Sequence, residues 1–189
     1  MQQIMKNTAL AAALVLLASV GAPAYAGSAD KNIAIDATVV QSCVLEVPAA
    51  LDFGQYDPTG INLTEDQLAT ATINVKCASG TGAAILYVDK GTTKNATYNQ
   101  CGSNTRQMFL NGNTASTDAA LYYLYKDSSM TNALGCQEGS TSNLGGTVVG
   151  PFTSSIRPIN MTVYGKVTKN QSTLAVGSYS DVVNVWIAF

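Results

Sequence analysis

The sequence contains no histidine, and this absence removes the usual chemistry of an enzyme site. Histidine is the common general base for attack by a serine or cysteine side chain, and it is a frequent metal ligand. The sequence also lacks a C-x-x-C pair and a G-x-x-x-x-G-K phosphate loop. We therefore expect a protein that is not an enzyme, with no catalytic residues, no metal and no cofactor.

Charged residues are scarce: Asp, Glu, Lys and Arg make up 12% of the chain, and the formal net charge is −2. The Lys and Arg residues are scattered, whereas nucleic-acid phosphates require clustered positive charge. Sparse charge also argues against a protein held electrostatically on a membrane surface. We expect no nucleic-acid partner, and the many Thr, Ser, Asn and Gly residues suit a protein that packs against copies of itself.

Long apolar runs are missing except near the N-terminus, where residues 9–20 are uncharged and apolar. Lys6 precedes this run, and a small-x-small sequence ending at Ala26 follows it. The run is too short to cross roughly 30 Å of hydrocarbon comfortably, so a permanent anchor helix is the weaker interpretation. The pattern predicts a signal peptide over residues 1–26, cleaved after Ala26.

All four cysteines follow this predicted signal peptide. An even number of cysteines in an oxidising compartment predicts two disulfides, and four cysteines allow three pairings. We favour sequential pairing, Cys43–Cys77 and Cys101–Cys136, because the two closed loops are then similar in length. Each bridge would stabilise the fold by roughly 2–4 kcal/mol.

Alternation of apolar and polar residues is the main secondary-structure signal. It begins with Ile33, Ile35, Ala37 and Val39 on one face, which is typical of a half-buried strand. The later strand segments are 71–77, 83–88, 108–110 (before a hairpin-type turn at 111–113), 121–126, 155–167 and 181–189, and the one weak helix candidate is 64–71. Many short strands between Gly-, Asn- and Ser-rich turns predict an all-β sandwich or barrel.

The two ends of the predicted sandwich differ from the rest. The last segment, 181–189, has no following residues to cover its edge, and the first strand, 33–39, has no hairpin partner close in sequence. The inward apolar set of the last segment is Val183, Val185, Ile187 and Phe189. An uncovered apolar edge favours aggregation, and the first strand of another copy would cover it. On the pattern alone, strand 33–39 is equally well the first strand of its own sandwich.

Several short motifs follow one another along the chain. They are Cys43 after the alternating strand, Leu51-Asp52-Phe53-Gly54-Gln55-Tyr56, Ile73-Asn74-Val75-Lys76-Cys77, Arg106-Gln107-Met108, Leu121-Tyr122-Tyr123-Leu124-Tyr125-Lys126-Asp127, Tyr164-Gly165-Lys166-Val167 and the terminal residues 177–189. In this order they resemble the spore coat protein U-like domain, and specifically the subunits of archaic chaperone–usher pili.

The resemblance implies an all-β fold, an incomplete immunoglobulin-like β-sandwich completed by donor-strand exchange. In such families a periplasmic chaperone first fills the groove left by the missing seventh strand. At an outer-membrane usher, the N-terminal extension of the next subunit then replaces the chaperone. Carried over to this chain, residues 27–40 form the donor extension and residues 41–189 form the pilin domain.

The resemblance also implies roles for individual residues. The donor residues are Ile33, Ile35, Ala37 and Val39. The acceptor groove includes Val183, Val185, Ile187 and Phe189. The Cys43–Cys77 pair is similar to the family bridge, whereas Cys101 and Cys136 depart from the simplest pattern.

These observations predict a structural pilus subunit, exported through the periplasm to the cell surface, where it supports adhesion and biofilm formation. Its partners would be identical or related pilin subunits in a head-to-tail polymer, the chaperone and the usher. The alternative is a self-contained secreted carbohydrate-binding or coat β-sandwich protein.

Several other side chains have two interpretations at this stage. The tyrosines would serve packing or, in the carbohydrate-binding alternative, contact with a sugar; they are Tyr122, Tyr123 and Tyr125. Trp186 faces outward and would serve subunit contacts or adhesion. Arg106 and Asp181 are candidates for a structural ion pair.

Overall fold

A computed structural model describes residues 31–91, 104–135, 137–138, 141–142 and 146–189. The predicted signal peptide, residues 1–26, lies outside the described residues, as do Cys101 and Cys136 with their predicted pairing. The unit that holds the β-sheets runs from Val39 to Phe189, and the described residues 31–38 do not belong to it.

The described residues form short strands joined by turns and irregular segments. In chain order the strands are β1 (Cys43–Glu46), β2 (Gln67–Cys77), β3 (Ala84–Val88), β4 (Thr105–Leu110), β5 (Ala119–Tyr125), β6 (Gln137–Glu138), β7 (Thr141–Ser142), β8 (Thr147–Val149), β9 (Ile159–Val167), β10 (Tyr179–Ser180) and β11 (Val185–Ala188). A single turn of 3-10 helix spans Ile61–Leu63. Within this described part, no helix has the length and apolar character needed to cross a membrane.

Two antiparallel sheets form the sandwich. The larger has the strand order β1-β2-β9-β5-β4-β10, and the smaller has the order β11-β3-β8. In an immunoglobulin sandwich one sheet has the order A-B-E-D and the other contains C, F and G. Taken in chain order, β1, β2, β3, β5, β9 and β11 occupy the positions of A to F. No strand of the described chain lies in the seventh position beside β11, so the fold is an incomplete immunoglobulin-like β-sandwich.

Alternate residues of the facing strands meet between the sheets and form the core, as the period of two predicts. The larger sheet contributes Ile73, Val75, Tyr122, Leu124, Val163 and Val167, and the smaller sheet contributes Ala84, Leu86, Val88 and Val149. All of these side chains are buried. Complete burial of a large apolar side chain contributes about 1.5–3 kcal/mol, so this layer holds the two sheets together.

The predicted helix over residues 64–71 is wrong. The chain instead enters β2 at Gln67, and β2 pairs with β9 from Gln67↔Val167 to Val75↔Ile159. Helix propensity is a weak local preference, and a long ladder with a neighbouring strand overrides it. The start of β2 is therefore determined by β9, which lies about ninety residues further along the chain.

The strand predicted over residues 181–189 is shorter in the structure, because only Val185–Ala188 form a strand and residues 181–184 do not. Residues Tyr179–Ser180 form β10 in the larger sheet, and Val185–Ala188 form β11 in the smaller sheet. Residues 181–184 carry the chain from one sheet to the other, and such corners are made by strands that switch sheets. We call residues 181–184 the crossing segment.

Two further sequence predictions agree with the structure. Cys43 and Cys77 form a disulfide, which joins β1 to β2 at paired positions of the ladder. β4 and β5 form the predicted hairpin, and Asn111 and Gly112 both have positive φ at its turn. The hairpin connection is longer than a two-residue turn, because β5 begins only at Ala119.

Candidate functional site

An apolar groove of about 450 Å³ opens between the two sheets. One wall is the irregular segment 47–53, which follows β1, and the other wall is residues 179–185. The floor consists of core side chains, among them Ile73, Leu124 and Val163. The groove thus reaches the hydrophobic core and has the chemistry of an apolar binding cleft.

The groove lies beside an unpaired strand edge. β11 pairs with β3 along one edge, and no strand of the described residues pairs with its other edge. Such an edge presents a row of backbone N–H and C=O groups to any chain that approaches in an extended conformation. An extended segment entering the groove would find both apolar pockets and backbone partners.

The first wall, segment 47–53, is held by a close approach at Gly165 of β9. A Cβ atom at Gly165 would lie 2.7 Å from Leu51 Cδ2 and 2.7 Å from Phe53 Cζ. Gln67 Nε2 donates a hydrogen bond of 2.6 Å to the Phe53 carbonyl oxygen, and the Phe53 ring packs edge-on against Tyr122. The first three residues of the Leu51–Tyr56 motif, Leu51–Phe53, therefore belong to a wall of the groove.

The crossing segment belongs to the second wall, and the side chain of Asp89 fastens its far end. The Asn184 backbone N–H donates to Asp89 Oδ1 at 2.9 Å, and Asn184 Nδ2 donates to Asp89 Oδ2 at 2.5 Å. The Asp89 backbone N–H in turn donates to the Asn184 carbonyl oxygen at 2.9 Å. Three hydrogen bonds thus hold the chain where it enters β11.

A buried polar cluster lies at the near end of the crossing segment. Arg106 is 2% exposed, and it donates from Nε and Nη2 to the Asp89 carbonyl oxygen and from Nη1 to Asn104 Oδ1. The Tyr122 hydroxyl donates to Asp181 Oδ2 at 2.5 Å. The hydrogen bonds of Arg106 thus go to Asp89 and Asn104, whereas the predicted partner Asp181 accepts one from Tyr122.

The pKa shifts in this cluster follow from burial. Burial lowers the pKa of Arg106, and Tyr122, Asp89 and Asp181 oppose that shift. Burial also raises the pKa of Tyr122 well above its ordinary value, and the charge of Asp181 and its hydrogen bond add to the rise. Tyr122 therefore remains a neutral hydrogen-bond donor at physiological pH.

The four predicted acceptor residues divide into two pairs. Val183 and Val185 line the groove. Ile187 packs against the core outside the groove lining, and Phe189 follows the end of β11 with 56% of its surface exposed. Of the four predicted residues, the structure therefore brings Val183 and Val185 together in the groove. The residues that sequence reasoning missed are those of the first wall, whose role depends on the contact with Gly165.

The predicted donor residues lie in a stretch, residues 31–42, that has neither helix nor strand. Ile33, Ile35 and Val39 are 85%, 91% and 87% exposed, and Ala37 is exposed as well. Three large apolar side chains in one short segment are thus almost fully exposed to solvent. Apolar groups that remain in water to this extent favour association with another surface.

The outward aromatic residues pack against neighbours on their own sheets. Trp186 stacks on Tyr87, with ring centroids 5.8 Å apart, on the outer face of the smaller sheet. Tyr123 and Tyr125 stack on the larger sheet, where the Lys166 ammonium lies 5.6 Å and 5.5 Å from their ring centroids. Tyr122 points into the core instead. Among the described residues, no group of three or more His, Cys, Asp or Glu is placed to hold a metal ion.

The fold and the groove define a class of protein: a β-sandwich with an unfilled strand position at an apolar cleft. The chain belongs to the Spore Coat Protein U domain family, whose model matches residues 29–186. It is similar to Protein U of Myxococcus xanthus, with 32% identity over 97% of this chain and 98% of that protein.

A solved structure also has a chain similar to this one. It is the CsuC–CsuE chaperone–tip adhesion subunit pre-assembly complex from the archaic chaperone–usher Csu pili of Acinetobacter baumannii, with 16% identity and a TM-score of 0.46. The likeness covers 80% of this chain and 41% of that chain.

Proposed function

We propose that this protein is a structural subunit of a surface pilus that assembles by donor-strand complementation. The observation that carries the proposal is the apolar groove beside the free edge of β11, where a complete sandwich has its seventh strand. The N-terminal extension of a second copy, residues 27–40, fills this groove. The contact is head to tail, so it generates an open filament and not a closed ring.

The chemistry of the extension fits the groove. Strand addition supplies main-chain hydrogen bonds for affinity, and pockets for alternate side chains supply specificity. Ile33, Ile35 and Val39 alternate with polar Asp36 and Thr38, so one face of the donated strand is apolar. Each buried Ile or Val contributes about 1.5–3 kcal/mol, and the inserted strand also satisfies the backbone groups along the edge.

The two walls of the groove define where the donated side chains would bind. Val183 and Val185 are available on the second wall, and Leu51 faces them from the first. Ile187 and Phe189 would extend this acceptor surface along β11 beyond the groove itself. The donor side chains Ile33, Ile35, Ala37 and Val39 would then lie between the sheets as core residues.

The exposed groove implies temporary partners during export. An apolar cleft beside a free strand edge promotes aggregation, so a periplasmic chaperone would occupy it until an outer-membrane usher exchanges the chaperone for the next subunit. The Cys43–Cys77 disulfide is consistent with an oxidising compartment. In this proposal the signal peptide is removed after Ala26, and the finished pilus supports adhesion and biofilm formation at the cell surface.

The proposal is tested by giving the protein its own donor strand. Residues 27–189 are produced in the periplasm without a chaperone, with or without a copy of residues 33–39 joined after Phe189 by a Gly/Ser linker. We expect the plain chain to aggregate or be degraded and the extended chain to accumulate as a folded monomer. The matched control is an appended copy in which the isoleucine that corresponds to Ile35 is replaced by aspartate, and it should give no rescue.

The opposite result would favour the alternative function. If the plain chain accumulates as a well-folded monomer and still folds after removal of residues 27–39, the sandwich completes itself. The protein would then be a self-contained carbohydrate-binding or coat protein, and the pilus proposal would be wrong.

A further inference from the structure

The crossing segment has to hold one wall of the groove without belonging to a strand. Residues 181–184 lie between β10 and β11, which belong to different sheets. Asp181, Val182 and Val183 all line the groove. Because ladder hydrogen bonds do not fix this segment, its position depends on the side chains that hold it.

Asp181 is enclosed by two neighbours. The Tyr122 hydroxyl donates to its Oδ2 atom, and Tyr122 is 4% exposed in the floor of the sandwich. On another side, a Cβ atom at Gly91 would lie 2.1 Å from the same Oδ2 atom, so the carboxylate rests against the Gly91 backbone. The start of the crossing segment is thus fastened to the core of the larger sheet.

The far end of the crossing segment is fastened to the same cluster. Asn184 is bound by the Asp89 side chain, and the Asp89 carbonyl oxygen accepts hydrogen bonds from Arg106 at 3.1 Å and 3.3 Å. Arg106 also attracts Asp181 electrostatically. The far end of the wall is therefore linked through Asp89 to a buried cation, whose charge also favours the carboxylate of Asp181 at the near end.

This arrangement opposes collapse of the empty groove. Apolar walls around an unfilled space approach one another, because contact removes apolar surface from water. Movement of Asp181 would leave the buried Tyr122 hydroxyl without the acceptor of its hydrogen bond. An unpaired buried polar or charged group is strongly unfavourable, so the wall stays in place.

We propose that Tyr122 and Asp181 are positioning residues that keep the groove open before a donor strand arrives. This inference rests on the proposed function, because it assumes that the groove receives a strand. A preformed groove binds an incoming strand with less ordering of its own walls. The hydroxyl of Tyr122 acts through Asp181, and its contribution lies in the rate at which a strand enters.

The test measures association and dissociation separately. A fluorescent peptide of residues 31–41 at micromolar concentration is mixed with purified chain lacking only the predicted signal peptide, freshly diluted from denaturant to a nanomolar concentration at which aggregation and self-assembly are both slow. Tyr122→Phe keeps the ring and removes the hydrogen bond to Asp181. We expect its association rate to fall about tenfold, as for the loss of one net hydrogen bond, with the dissociation rate within about twofold of the wild type.

A matched control and a second variant complete the design. Tyr123→Phe changes the neighbouring tyrosine on the outer face of β5, and it should bind at the wild-type rate. If Tyr122→Phe does not fold, Asp181→Asn carries the same test, with slower association expected because the charge beside Arg106 is lost. Thermal unfolding of the empty and the peptide-filled protein identifies a general loss of stability. Such a loss would lower the melting temperature of both forms and would not affect association selectively.

The outcomes separate this inference from the proposed function. Absence of peptide binding to the wild type would overturn the proposed function. Wild-type binding with an unchanged association rate in the variants would overturn only the positioning role. A faster dissociation with unchanged association would also overturn it, because the hydroxyl would then contact the bound strand instead of positioning the wall.

Discussion

Gly165 determines the position of the first groove wall because it has no side chain. Leu51 and Phe53 occupy the space that a Cβ atom would need. We predict that Gly165→Ala lowers the free energy of unfolding by about 1–3 kcal/mol, since both side chains must shift to accommodate the methyl group. Urea denaturation measures this change.

The control for this prediction is Gly82→Ala. A Cβ atom at Gly82 would meet nothing within 4 Å, so the substitution adds a methyl group without a clash. We expect its midpoint to stay close to that of the wild type. Equal midpoints for both variants would contradict the packing role assigned to Gly165.

The raised pKa of Tyr122, which lines the groove, leads us to predict a loss of stability at alkaline pH. The folded pKa of Tyr122 is raised by burial and by Asp181, so the folded protein holds this proton more tightly than the unfolded chain does. Burial and the hydrogen bond to Asp118 likewise raise the pKa of Tyr179 to about 12. The stabilisation is complete below about pH 10, the unfolded value, and is lost as the pH rises above it.

We therefore expect the free energy of unfolding to fall between about pH 10 and pH 12. Tyr122→Phe should reduce the slope, because it removes one of the two tyrosines whose pKa is raised in the folded protein. Tyr123→Phe should keep the wild-type slope. Denaturant titrations at a series of pH values give these slopes, and an unchanged slope in Tyr122→Phe would contradict the assignment.

At the scale of single elements, local sequence predicted most strands but not where the strands begin and end. The alternation of Ile73 and Val75 correctly predicted the last part of β2, whereas its first residues, from Gln67, were predicted as part of a short helix. Pairing with β9 makes these residues a strand, and local sequence could not show this because β9 is distant along the chain. The late start of β11 has the same origin, since Asp181 and Asn184 bind Tyr122 and Asp89, which are distant in sequence.

β1 is a short edge strand, and its disulfide leads to the third prediction. Only four residues pair with β2, and the Cys43–Cys77 bridge joins the two strands where β1 begins. Replacement of both cysteines by alanine should lower the free energy of unfolding by about 2–4 kcal/mol. Hydrogen exchange should accelerate most in β1, with β9 as the internal reference. Uniform acceleration in both strands would contradict a local role for the bridge.

At the scale of the whole molecule, alternating residues predicted an all-β sandwich or barrel, and the family resemblance implied an incomplete sandwich. Val183 and Val185 could be assigned to the groove because their alternation is a local pattern. The first wall of the groove could not be predicted in this way. Its position depends on Leu51 and Phe53 packing over Gly165, and more than one hundred residues separate these partners along the chain.

The final prediction concerns assembly and distinguishes the two faces of the donor strand. Ile35→Asp would place a carboxylate in the apolar groove, and burial of an unpaired charge disfavours binding by several kcal/mol. We expect the polymer yield to fall about a hundredfold or more, as measured by size-exclusion chromatography and negative-stain microscopy.

Thr38→Asp is the matched control, because it adds the same charge to the opposite face of the same segment, where solvent can hydrate it. We expect this variant to form filaments with near-normal yield. Normal filaments from Ile35→Asp together with a loss of filaments from Thr38→Asp would mean that the donor strand presents its other face to the groove. Normal filaments from both variants would mean that residues 33–39 do not enter the groove at all.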